Sequence, residues 1–193
     1  MDTGTAVDDS GSSEETEANV DDDACELRSV DEAVYVAIEE ELQGIAESAL
    51  AYFAVPTGVP PLHRCPHVDQ SPHGGSSGIT PPLAVNCNCG PSGGCIPTSD
   101  PSSEDQGSYD IKLWRENQIW QGLGFERPAG LAHQFHYEFA AENLDDGSGA
   151  CEFRVTGRAD YDDDTEFSVY SVSGFVDEKG AVIEPMVVER PFE

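Results

Sequence analysis

Apolar and polar positions along this chain follow two periods, one after the other. Val30, Val34, Ile38, Leu42, Ile45, Ala49 and Phe53 recur every three or four residues. That spacing puts them on one face of an α-helix running roughly from Val30 to Ala54. Ala37, Ala46 and Leu50 widen the face, and Glu39, Glu40, Glu41 and Glu47 fill much of the rest. Ser29 is a suitable N-cap with Glu32 three residues on, a capping box, and Asp31 and Glu32 favour the positive end of the helix dipole. Pro56 and Gly58 end the helix. Its predicted length is about 37 Å.

Toward the C-terminus the period falls to two, the mark of half-buried strands. Strands are predicted at His133–Ala141, Cys151–Asp160, Glu166–Val176 and Ala181–Val188. Phe135, Tyr137 and Phe139 share a face, as do Phe153 and Val155, then Phe167, Val169 and Ser171. Val182, Val187 and Val188 serve the last strand, where Pro185 suits an edge. Asp145–Gly149 joins the first pair of strands, and Asp177–Gly180 makes a tight hairpin. One long helix followed by four short strands predicts an α+β fold, the helix packed on a four-stranded antiparallel sheet.

Between these regions, residues 55–110 are dense in Pro, Gly, Ser and Cys. So long a loop without regular structure needs staples to stay ordered. After it, Ile111, Trp114, Ile119, Trp120, Leu123 and Phe125 form an apolar clamp with a short helix around Asn117–Gly122. It is expected to cover one end of the core.

Charge narrows the function. The 193 residues carry 38 acidic and nine basic side chains, a net charge of −29, with Lys112 and Lys179 the only lysines. That excess disfavours nucleic acid and anionic membranes as partners. It favours solubility, cation binding and salt-rich, halophilic surroundings, where counter-ions screen the self-repulsion. Residues 1–24 hold nine carboxylates, no basic residue and almost no large apolar side chain. Residues 1–26 are therefore expected to be a disordered acidic tether, with 27–193 as the globular domain. No apolar run reaches about 18 residues, so no membrane span is predicted.

Six cysteines, Cys25, Cys65, Cys87, Cys89, Cys95 and Cys151, point to disulfides and an oxidising, extracellular or envelope location. They allow fifteen pairings, among which sequence does not choose. No signal peptide is visible, so that location predicts an export or anchoring segment upstream of Met1.

The sharpest chemical cluster is Asp160, Asp162, Asp164 and Glu166. Alternating oxygen ligands of this kind can wrap a calcium ion, although an EF-hand's flanking helices and sixth-position glycine are missing. The bland alternative is a solvated acidic hairpin. His63, Cys65, His67 and His73, with Cys87, Cys89 and Cys95, offer a zinc set, but the single residue between Cys87 and Cys89 fits zinc spacing poorly. Cys65 beside His63 or His67 is the one candidate thiol nucleophile. Alternation places His133 and His136 on opposite faces of their strand. No nucleophile elbow, phosphate loop or dinucleotide signature is present, and no enzymatic activity is expected.

Several segments, in order, resemble the head of a type IV pilin or pseudopilin of the kind found in myxobacteria and their relatives. They are Leu27–Ala33, Ala51–Ala54, Thr80–Pro97 with its cysteines, Ile119–Phe125, Phe135–Phe139, Phe153–Asp160, Ser168–Tyr170 and Gly174–Asp177. The match covers residues 27–193. Asp160–Asp164 stands where the family often has a glycine-rich aspartate loop, with Asp163 and Thr165 in place of glycines. The resemblance implies a non-catalytic cell-surface subunit whose partners are other pilin-like subunits or a surface ligand. The prepilin processing site and membrane helix of the family are missing here, which leaves as an alternative a free-standing secreted or lipid-anchored envelope domain that does not polymerise.

Overall fold

In the computed structural model, residues 1, 32–56, 62–68, 73–88, 93–101, 107–144 and 150–190 are described. The first helix, α1 (Glu32–Phe53), forms along the predicted face. Ile38, Leu42, Ile45, Ala46, Ala49 and Phe53 are buried, and Val34 and Leu50 pack beside them. Ala37, expected on that face, is exposed. Ser29 and Val30 lie outside the described residues. At the C-terminal end His63 Nδ1 bonds the Phe53 carbonyl oxygen at 2.8 Å, and the two rings lie 5.5 Å apart.

The sheet has six strands where four were expected. The eight strands of the fold are β1 (Gly74–Ser76), β2 (Ile96–Thr98), β3 (Ser108–Asp110), β4 (His136–Asn143), β5 (Cys151–Ala159), β6 (Ser168–Asp177), β7 (Gly180–Ile183) and β8 (Val187–Glu189). The antiparallel sheet runs β1-β4-β5-β6-β7, with β8 also on β6, while β2 and β3 form a separate parallel pair. Two causes explain the extra strands. Pro185, which has no N–H to give, splits the predicted last strand, and both halves pair with β6. The loop over 55–110 is not structureless, for Gly74–Ser76 adds to the β4 edge. There a Cβ on Gly74 would lie 2.6 Å from the Ala141 carbonyl oxygen, an approach only glycine permits.

The helix covers one face of the sheet. Tyr137, Phe139, Phe153 and Val155 point toward it, as expected. Gly157 marks the close approach: a Cβ there would stand 3.0 Å from Ile38 Cδ1. On β6 the predicted phase is wrong by one residue. Ser168, Tyr170, Val172 and Val176 are buried, while Val169 and Ser171 turn to the other face. Both faces of β6 carry apolar residues, and the landing of α1 decides which is core. Val182 and Val187, assigned to the core, are exposed, whereas Ile183 and Val188 pack against it.

The hairpin at Asp177–Gly180 forms as predicted, with Asp177 Oδ1 accepting from Lys179 N at 2.7 Å and Gly180 N at 3.0 Å. The loop at 145–149 and the tether at 2–26 lie outside the described residues. The apolar clamp becomes α2 (Lys112–Arg115) and α3 (Gln118–Leu123). Asn117 caps α3, Oδ1 accepting from Ile119 N and Trp120 N, and Gly124 closes it with φ of 63°. The buried indoles find partners: Trp120 Nε1 donates to Thr80 Oγ1 at 3.0 Å and Trp114 Nε1 to Tyr109 OH at 2.9 Å.

An ion pair locks α1 to the clamp. Arg127 and Tyr137 OH both donate to the Glu41 carboxylate, and the guanidinium also sits 5.9 Å from the Tyr137 ring centre. Burial first, then the Glu41 charge, raises the Tyr137 phenol pKa, so the phenol stays a donor.

A carboxylate loop and the cavity beside it

Asp160–Glu166 connects β5 to β6. Thr165 N donates to Asp160 Oδ2 at 2.9 Å, and Glu166 N to Asp164 Oδ1 at 2.7 Å. These bonds turn the chain tightly enough that Asp163 and Thr165 take positive φ, 62° and 73°. A β-branched residue there holds strain of about 1–3 kcal/mol.

The turns gather three of the four predicted ligands. Carboxylate oxygens of Asp160, Asp162 and Asp164 lie within 4.8 Å of one another. Two ligands each about 2.3–2.6 Å from one calcium ion are at most about 5 Å apart, so the triad has the right span. Each pair of carboxylates repels by about 1 kcal/mol even at the dielectric of water. Among the described residues no lysine or arginine pairs with them. Asp160 Oδ1 is buried without a hydrogen-bond partner. Glu166, the fourth predicted ligand, stands apart, its Oε2 3.4 Å from Arg190 Nη1.

Beside the triad is a cavity of about 530 Å³ whose walls include Asp160, Asp163, His136, Asn86, Cys87 and Phe167. Asn86 Nδ2 reaches Asp163 Oδ1 at 3.4 Å. His136 Nδ1 donates to the Pro81 carbonyl oxygen at 2.9 Å, and burial lowers the pKa of the ring. Neither the cavity nor these polar walls leave a local trace in the sequence, because residues 55 to 77 positions apart build them.

Four of the six cysteines are described, and all four are in disulfides, Cys65–Cys151 and Cys87–Cys95. Cys25 and Cys89 lie outside the described residues. Buried Asn143 grips Cys65 from both sides, its Oδ1 accepting from Cys65 N at 2.8 Å and its Nδ2 donating to Cys65 O at 3.5 Å. Segment 62–68 is thereby fixed to the loop end of the β4–β5 hairpin, at the Asn143–Cys151 pair. Oxidised to a disulfide, Cys65 offers no thiolate to His63 or His67. The bridges fit an oxidising, extracellular setting.

Among the described residues the zinc set is not assembled. His63 and His67 bond backbone carbonyl oxygens through Nδ1. Instead His133 and His136 flank the Cys87–Cys95 disulfide, one on each sulfur. Cys95 Sγ is 3.6 Å from both ring nitrogens of His133, so it lies over the ring and not on a nitrogen lone pair. The His133 ring shares a 2.6 Å bond with Tyr109 OH through Nε2. Burial, with Arg127 adding to it, holds the His133 pKa down to about 3, and burial raises that of Tyr109.

No described helix is long and apolar enough to cross a membrane. No protein-family model, curated protein or solved structure matches this chain.

Proposed function

We propose that this chain is the head of an extracellular, non-catalytic subunit of the type IV pilin kind, with calcium bound at Asp160, Asp162 and Asp164 holding the β5–β6 loop. The observation that carries the pilin reading is α1 lying along one face of an antiparallel sheet, with the intervening segment pinned by Cys65–Cys151. Its work is packing against like subunits or touching a surface. The unpartnered Asp160 Oδ1 supports the calcium reading, since a divalent ion would satisfy that oxygen and offset the repulsion among three carboxylates.

Two experiments test it. Exported protein from intact cells should appear at the surface or in sheared filaments with every thiol blocked; an intracellular protein with free thiols would sink the assignment. Millimolar calcium should raise the melting temperature, and magnesium much less. Asp162→Asn with Asp164→Asn should remove the calcium effect without unfolding the apo protein. Equal responses of wild type and variant would dispose of the ion site and leave the pilin reading standing.

A further inference from the structure

No described element covers most of the width of the sheet face turned away from α1. At one end His136 is buried, bonded to the Pro81 carbonyl oxygen and sharing a cavity with Leu83–Asn88. Beyond it, Ala140, Glu142, Glu152, Arg154, Val182 and Val187 are exposed. The register sets them side by side: Arg154 stands between Ala140 and Ser173, and Glu152 between Glu142 and Phe175. Small side chains, Ala140, Ser171 and Ser173, keep the floor low. The result is two hollows of about 550 and about 380 Å³ that meet at Ala140 and Arg154 and cross the sheet from β4 to β8.

Chemistry divides the trough. Phe175 and Val182 form an apolar wall. Glu142, Glu152, Glu184 and Glu189 supply carboxylates around it, while Glu138 is neutralised by Arg158 at 2.8 Å. Arg154 makes no ion pair among the described residues, only a 3.4 Å bond to Ser173 Oγ. A second copy of the chain would bring one glutamate rim against another, in a molecule of net charge −29. The chain's first 24 residues, with nine carboxylates and no basic residue, meet the same repulsion.

We propose that this trough docks an extended, lysine- or arginine-bearing segment of a partner protein. Its aliphatic side chains lie against Phe175 and Val182, its cations meet the glutamate rim, and Arg154 donates to one of its main-chain carbonyl oxygens. This needs neither the calcium site nor the pilin kinship.

The test uses the whole chain and an alternating lysine–valine octapeptide blocked at both ends, titrated at low ionic strength, with a glutamate–valine octapeptide as comparison. Glu142→Gln, Glu152→Gln and Glu184→Gln together should weaken lysine-peptide binding about tenfold. The charge-matched set Glu39→Gln, Glu40→Gln and Glu47→Gln on α1 should change it less than about twofold. Val182→Asn, at an exposed edge position, should weaken it as well. The proposal is overturned if the lysine peptide does not bind or the glutamate peptide binds as well. It is also overturned if both glutamate sets weaken binding alike, Val182→Asn has no effect, or sedimentation shows a dimer that the trough substitutions dissolve.

Discussion

Replacing Cys65 and Cys151 together by alanine should cost the fold far more than replacing Cys87 and Cys95. The first bridge spans 86 positions and the second eight. Loop-closure entropy returned to the unfolded chain is worth about 4.5 kcal/mol for the long loop and about 2.5 kcal/mol for the short one. Asn143 would still hold Cys65's backbone position, so the native state should keep its geometry and the loss should fall mainly on the unfolded side. For a chain of this size each kcal/mol moves the midpoint about 3 °C, so drops of about 13 °C and about 7 °C are expected. Calorimetry and urea titration of both double variants under non-reducing conditions would measure this, with Cys25 and Cys89 unchanged in each. A short-loop variant that loses as much stability as the long-loop one would refute the reasoning. So would a long-loop variant that melts with wild type, which would mean that Asn143 and packing alone hold the segment.

Other positions report on other parts of the argument. Gly174→Ala would push a methyl group into the Phe153 ring and should cost about 2 kcal/mol by urea denaturation, whereas neighbouring Ser173→Ala, on the opposite face, should stay within about 0.5 kcal/mol. Glu41→Gln would leave Arg127 without its anion, half-buried between α1 and the clamp, and should cost about 2 kcal/mol. His133 titrates near 3 when folded against about 6.5 unfolded, so the unfolded chain binds more protons between those values. Stability from this group is full above about pH 6.5 and declines on acidification, by about 2 kcal/mol at pH 5. His133→Gln should flatten that part of the profile in chemical denaturation at the two pH values.

Local rules were enough where one segment decides its own structure. The apolar stripe of α1, the short helix around Asn117–Gly122 and the Asp177–Gly180 hairpin were legible because each depends on residues a few positions apart. The phase of β6 was not. Tyr170, Val172 and Val176 compete with Val169 and Phe175, and only the docking of α1 chooses between them. Pro185 suits an edge, yet its stronger effect is to cut the strand in two. For the carboxylate loop, spacing identified the three aspartates but not the departure of Glu166, which Arg190 attracts from 24 positions away. The disulfide pairing, the cavity and the flanking of one disulfide by His133 and His136 depend on long-range contacts with no periodic trace.

The broken C-terminal ribbon also bears on how this molecule behaves in a crowd. Its two outer pieces are four and three residues long with a proline-containing kink between them, and the far border of the sheet is another three-residue strand beginning Gly74-Gly75. Neither border offers a straight run of free amide and carbonyl groups on which a neighbour could propagate a continuous ladder. Concentrated solutions should therefore resist fibrillar growth, and any assembly this molecule enters would be built through broad faces or helices, leaving the strand borders idle.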